Sequence, residues 1–250
     1  MRTFIALGAT LVCALSFGAD IKDMAGLGGA KKEVKADAKE PMTLLTNRSK
    51  LMKEEAFKDE SAIKKGGGWN IYKGDFQVQS EALRSVEKAE DGHHPAMSCK
   101  LPSTNLIMQC KFRTDASKWL GLSLDNGKLK EHIFRAMINP NGLTINRMSG
   151  MGPTTKGEKI VEKKFKFDPA KWYTLIVELN GKEVCAQIPE ANITIYGESD
   201  GIDQEKDRFE LISGGDAAWF DEIKIWEAEA NPKWPQIKAQ IPVPAAPKKK

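Results

Sequence analysis

Residues 173–188 read YTLIVELNGKEVCAQI, and this stretch decides the class of fold. Two apolar runs are joined by Asn180-Gly181, a dipeptide that closes two-residue hairpins because both positions tolerate positive φ. Working outward, the same period of two recurs along the chain. In WLGLSLD (119–125), Leu120, Leu122 and Leu124 point one way, and Trp119, Gly121, Ser123 and Asp125 the other. In NLIMQCKFR (105–113), Leu106, Met108, Cys110 and Phe112 alternate with Gln109, Lys111 and Arg113. HIFRAMIN (132–139) sets Phe134, Ala136 and Ile138 against Ile133, Arg135, Met137 and Asn139, and FDEIKIWEA (220–228) closes with Ile223 and Ile225 on one face. Short strands punctuated by Asn-Gly, Gly-Gly and Asp-Gly turns predict an all-β fold, an antiparallel sandwich.

Composition agrees with a packed domain. The 250 residues are 41% hydrophobic and 29% charged, enough apolar material for a core, so wholesale disorder is excluded. The formal charge of +4 comes from 38 basic and 34 acidic residues, and Arg2 with Lys248, Lys249 and Lys250 accounts for all of that excess. A balanced body offers no clustered positive surface for phosphates, so no nucleic-acid partner is expected.

The two ends differ from the body. Arg2, the apolar run Phe4 to Ala14 and the small residues Ser16, Gly18 and Ala19 spell a secretory signal over residues 1–18, too short to span a bilayer. The expectation is export to the periplasm, cell surface or medium, with a mature chain starting at Ala19 or Asp20. A lipoprotein reading at Cys13 is disfavoured because Val12 stands where a small residue is wanted. Residues 19–44 read as a flexible linker, 45–228 as one folded domain, and 229–250 as a Pro-rich tail with a lysine tip. That tip suits docking to an anionic cell surface.

With Cys13 leaving in the signal, Cys99, Cys110 and Cys185 remain. An odd number leaves at least one thiol unpaired. Cys99 and Cys110 flank the turn LPSTN and either face each other or join Cys185 as buried thiols. No CxxC occurs, and with three histidines in all a Cys/His zinc site is not expected. No cofactor is indicated, and a structural calcium ion is compatible with the fold without any motif pointing to it.

Four segments in order carry a resemblance. GGGWNIYKGDFQVQSEALRS (66–85), NLIMQCKFR, FDPAKWYTLIVELNGKEVCAQI (167–188) and GGDAAWFDEIKIWEA (214–228) are similar to the strands of 3-keto-disaccharide hydrolase family domains. The resemblance covers roughly residues 51–228. It implies a concanavalin A-like jelly-roll β-sandwich whose concave sheet receives sugars, and a glycoside hydrolase activity. In the family's middle section two strands place polar and acidic groups in the cleft. Here KWLGLSLDNG (118–127) and EHIFRAMINPNG (131–142) take their places, with Ser123, Asp125 and Arg135 near the cleft positions and no counterpart of the family's glutamate.

Candidate site residues follow from face-sharing. An indole stacks on the apolar face of a sugar ring, and carboxylate, amide and guanidinium groups fix its hydroxyls. Trp119 shares a strand face with Ser123 and Asp125, and Arg135, Asn139 and Arg147 would join from neighbouring strands as carbohydrate-binding residues. Asp125, Arg135 and His132 are the candidates for catalysis, His132 doubling as a core-edge histidine. His93-His94 reads as an exposed loop, and Trp69, Trp172 and Trp226 read as structural. EKDRFE (205–210) spells the E-x-D-x-x-E of β-glucanases, but its charge density reads as a solvated turn entering the strand FELIS (209–213), a motif out of its catalytic context. The leading expectation is an exported glycan-binding or accessory module. Its alternatives are a hydrolase or lyase on 3-keto-glycosides and a structural envelope protein. An acid–base pair in the cleft would favour the enzyme; stacked aromatics without one would favour binding.

Overall fold

A computed structural model describes residues 40–242 of the chain. The strands are β1 (Thr46–Glu55), β2 (Asn70–Lys73), β3 (Asp75–Gln79), β4 (Ala82–Val86), β5 (Ala96–Ser103), β6 (Leu106–Arg113), β7 (Ser117–Asn126) and β8 (Glu131–Asn139). They continue with β9 (Gly142–Ser149), β10 (Lys156–Lys164), β11 (Tyr173–Asn180), β12 (Glu183–Ile188), β13 (Ile193–Glu198), β14 (Lys206–Gly215) and β15 (Ala218–Ala230). One sheet runs β13-β12-β11-β6-β15-β4-β3, with β1 also paired to β15; the other runs β10-β9-β8-β7-β14-β5-β2. All pairings among the described residues are antiparallel. The fold is an all-β sandwich, as the periodicity predicts.

The hairpin that decided the class forms, with its turn one residue later than read, at Gly181-Lys182. Asn180 pairs with Glu183 across the turn, and Gly181 takes φ +57°, a left-handed value that costs glycine least. Between the sheets, Leu120, Leu122 and Leu124 of β7 meet Phe134, Ala136 and Ile138 of β8, Phe209 and Leu211 of β14, and Leu175, Val177 and Leu179 of β11 in one continuous core. Phe209 is fully buried, and deleting such a ring costs about 3–5 kcal/mol.

Of the register shifts in the two sheets, one matters for the site. A bulge between Leu124 and Asp125 shifts the β7–β8 register so that Asp125 pairs with His132. Ile133 then drops into the core, and His132 comes to the opposite face beside Asp125. His132 is therefore not a core-edge histidine in phase with Phe134 and Ala136.

The folded region extends beyond residues 45–228 at both ends. Leu44 and Leu45 pack with Cys185, Trp234 and Ile241, and β15 runs on to Ala230. A short helix, α1 (Trp234–Lys238), follows. Trp234 Nε1 donates to Glu183 Oε1 at 3.0 Å, and Lys238 Nζ reaches Glu183 and Glu198 at 2.8 and 2.5 Å. The prolines that suggested an extended tail bracket this turn: Pro235 sits at its start, where a missing N–H costs nothing. The signal segment and the lysine tip lie outside the described residues. Among those described, no helix is long and apolar enough to cross a membrane. Cys99, Cys110 and Cys185 are all free and buried, and burial pushes the Cys99 thiol up to about 11. Cys99 and Cys110 lie on strands of different sheets.

Candidate functional site

The second sheet turns one face to the core and the other to a cavity of about 750 Å³. Its floor comes from β8 and β14, which contribute His132, Arg135, Arg208 and Glu210. One wall comes from β2, β5 and the loop between 87 and 94, with Asn70, Tyr72, Glu87, His93, His94 and Ser98. The segment 151–155, between β9 and β10, supplies Met151, Gly152 and Thr155 opposite.

Period-two geometry explains the floor. In β14, Phe209 and Leu211 enter the core, so Arg208 and Glu210 must point the other way. Register places Arg208 beside Asp125 and Glu210 beside Ser123 on β7, while Ser123 faces Arg135 on β8. Asp125 is fully buried under this layer. Its Oδ1 is 2.8 Å from His132 Nδ1, its Oδ2 accepts from Arg208 Nη2 at 3.2 Å, and Ser123 Oγ adds a bond to Oδ1 at 3.3 Å. Arg208 Nε lies 3.3 Å from Glu210 Oε1.

Electrostatics separates the two carboxyls. Burial, and then the charge of Asp125, push Glu210 up to about 7, against the opposing pull of Arg208 and Arg135. Glu210 thus holds a proton near neutrality, as a general acid must. Nδ1 of His132 is turned to the Asp125 carboxyl, which leaves Nε2 as the ring nitrogen for proton transfer; the tautomer protonated at Nδ1 is the one a general base needs. Burial, with the neighbouring positive groups His93 and Arg135, holds His94 down to about 4, so it is an uncharged aromatic at neutral pH.

One donor atom each from Asp125, His132 and Glu210 lies within 4.8 Å of the others. Two carboxylates and an imidazole do not suit calcium, which wants six to eight oxygens. A transition metal would sit against the Arg208 guanidinium, which already occupies Asp125. The trio is better matched to proton transfer than to metal binding.

Several expectations change. His94 is not part of an idle exposed loop; it lines the cavity, stacks on His93 with ring centroids 4.1 Å apart, and meets Trp119 edge-on at 5.2 Å. Tyr72 touches His93 at 5.4 Å, so Tyr72, His93, His94 and Trp119 form a continuous aromatic edge. Trp119 does share the face of Ser123 and Asp125, and its indole lies over Gly214, where any Cβ would collide with the ring. Of EKDRFE, Glu205 is solvated as expected, but Arg208 and Glu210 belong to a central strand and form the floor. The strand read as FELIS begins earlier, at Lys206, so the charged run taken for a turn belongs to it. Asn139 accepts from Asn141 N in the β8–β9 turn, and Arg147 pairs with Glu158; neither lines the cavity. Trp69 and Trp226 are buried, and Trp172 is half-buried against Arg113.

Comparisons agree on the fold. No protein-family model matches the chain, and no curated protein matches it. Among solved structures it is similar to the carbohydrate-binding module CBM66 from Bacillus subtilis, with 13% identity and TM-score 0.53 over 64% of this chain and 96% of that one. It is also similar to the CBM2 module of the evolved Dit of Lactobacillus casei BL23 phage J-1, with 9% identity and TM-score 0.54 over 75% and 99%. A β-glucanase from Bacillus licheniformis matches with 7% identity and TM-score 0.52 over 72% and 99%. The fold is the concanavalin A-like jelly roll, and its neighbours are carbohydrate-binding modules and glycan-cleaving enzymes.

Proposed function

We propose that this is an exported carbohydrate-active protein that breaks a glycosidic linkage by general acid–base catalysis in the cavity. One observation carries the reading: a proton-holding Glu210 stands beside an Asp125-oriented His132 on the floor of an aromatic-edged pocket. Export rests on the sequence of residues 1–18 alone.

The roles follow from access. Asp125 is fully buried and bonded to His132, Arg208 and Ser123, so it cannot attack a sugar carbon and serves as a positioning residue. Glu210 delivers its proton to the departing glycosidic oxygen as the C–O bond breaks. His132 Nε2 takes a proton either from a water whose oxygen bonds the anomeric carbon, or from the carbon between the anomeric centre and a sugar carbonyl, whose C–H electron pair becomes a C=C as the C–O bond breaks; the proton then returns from His132 to Glu210. The resemblance to 3-keto-disaccharide hydrolases favours the carbonyl variant, because a keto group acidifies the neighbouring C–H and suits an imidazole base.

The test is turnover of 3-keto-glycosides and of a panel of unmodified oligosaccharides by the full chain. Cleavage that is lost in both Glu210→Gln and His132→Ala supports the assignment. Tight glycan binding with no cleavage of any substrate would instead establish a binding module, the reading that the edge of Tyr72, His93, His94 and Trp119 favours.

A further inference from the structure

The cavity holds two guanidinium groups in different circumstances. Arg208 lies against carboxylates, with Nη2 3.2 Å from Asp125 and Nε 3.3 Å from Glu210. Arg135 makes no ion pair among the described residues, and its hydrogen bond to protein is Nε to the neutral Ser123 Oγ at 3.4 Å. Yet Arg135 is drawn well out of water, and burial lowers its pKa more than Asp125 and Glu210 raise it. A desolvated guanidinium with no carboxylate in direct contact is costly to hold.

The acidic groups around it have other contacts. Asp125 is committed to Arg208 and His132, and Glu210 holds its proton up to about 7. His94 is uncharged near neutrality, and Glu87 at the wall is tied by Oε2 to Gly215 N at 2.7 Å. Ser98, Thr155 and Asn70 complete the lining with neutral hydrogen-bonding groups. Arg135 is thus the cation lining the cavity that no carboxylate among the described residues contacts.

We propose that Arg135 is an anion subsite, so that the glycan taken by this cavity bears an oxyanion, a uronate carboxylate or a sulfate, on the ring beside β8. The inference rests on the reading of the cavity as a glycan site. A guanidinium is a planar fork of donors that matches two oxygens of such a group at once, which a lysine ammonium does not. The arrangement also fits the chemistry proposed above. A carboxylate whose charge is offset by Arg135 acidifies the C–H beside it, within the province of the His132 base.

Calorimetric titration of the full chain with three tetrasaccharides of one linkage tests this: a uronate, its carboxyl-reduced counterpart and a sulfated form. An anionic ligand should bind at least about tenfold tighter than the neutral one at low salt, the scale of a charge-assisted hydrogen-bonded contact. Arg135→Gln should erase that ratio and Arg135→Lys should keep part of it, the lysine variant giving the readout if the glutamine variant does not fold. Preference for the uronate assigns a carboxylate; preference for the sulfated form assigns a sulfate. Equal affinity for charged and neutral ligands overturns the subsite but leaves a glycan site standing. A preference that survives Arg135→Gln in a folded variant also overturns it. Binding of none of the three overturns both readings.

Discussion

Two glutamates sit on the outward faces of central strands, one in each sheet, and burial raises the pKa of both. Glu178 on β11 accepts from Leu44 N and Thr46 N at 2.8 Å each, from Thr46 Oγ at 2.9 Å and from Gln187 Nε2 at 3.2 Å. The chain leading into β1 lies over it, and it is fully buried. Glu210 on β14 lies against Arg208 and Asp125 and also lines the cavity, with no chain segment over it. The difference teaches that a shifted pKa does not mark a site by itself. Saturated acceptors and a covering segment make a structural carboxyl; unsatisfied capacity facing a void makes a chemical one.

Swapping each glutamate for glutamine breaks the comparison most directly. Glu210→Gln should lower turnover by about 10²- to 10⁴-fold, the usual worth of a general acid, with the fold intact. Glu178→Gln should leave turnover of folded protein unchanged and cost about 1–3 kcal/mol of stability, because an amide turns donors toward backbone N–H groups. Steady-state kinetics and denaturant melts read the two effects separately. Reversed outcomes would mean that the two carboxyls have exchanged roles.

The covering of Glu178 depends on the ends of the chain, so Trp234 sharpens the contrast. Its ring packs with Leu45, Cys185 and Tyr196, and Asn231 Nδ2 holds Leu44 O at 2.7 Å nearby. Trp234→Ala should cost about 3–5 kcal/mol, as buried aromatic truncations do. For a domain of this size that is a drop of roughly ten degrees in thermal midpoint, at about 2–4 °C per kcal/mol. A midpoint within two or three degrees of wild type, of the order of one kcal/mol, would show the helix to be an ornament of the fold.

Much of this architecture was legible in the sequence. The Asn180-Gly181 hairpin and the leucine alternation in β7 announced both sheets and the face bearing Trp119, Ser123 and Asp125. What escaped had physical causes. The bulge after Leu124 put His132 out of phase with its neighbours, and no residue pattern marks a bulge in advance. Glu210 fell in the strand read as 209–213 but was set aside as a site residue, because the run Lys206, Asp207 and Arg208 ahead of it looks solvated although it belongs to the same central strand. Such charges are tolerated there because they pair with one another or bond to backbone: Lys206 Nζ, buried, donates to the carbonyls of Thr104 and Ile202 at 2.7 and 2.8 Å. The C-terminal helix escaped because five residues show no period.

A pH comparison isolates Glu210 from its structural counterpart. Its folded-state pKa stands near 7, above the ordinary 4.5, so the native state holds a proton that the unfolded chain releases between those values. Native stability linked to this group is therefore present at low pH and lost as pH rises through 7. Glu210→Gln removes the linkage, so the variant should gain on wild type between pH 5 and pH 8. Thermal midpoints of both proteins at the two pH values give the answer, and turnover should fall above neutrality as the acid ionises. A constant difference between the two proteins would place the Glu210 pKa at its ordinary value and remove the general acid from the mechanism.

The smallest expected effect concerns the aromatic edge, where Glu210's cavity meets β7. Trp119 reaches the site through His94 rather than by lining it, and its indole lies over Gly214 on β14 because that residue lacks a Cβ. Gly214→Ala would push the ring off the strand and loosen its edge contact with His94. Such a contact is worth about 0.5–1.5 kcal/mol, so glycan affinity should fall by roughly threefold to tenfold. Trp119→Ala should produce a loss of the same size, and the double variant little more, since both changes act on one contact. Additive losses in this cycle would mean that Gly214→Ala acts by a route other than the indole, and a Trp119→Ala loss well beyond tenfold would mean that Trp119 touches the sugar directly.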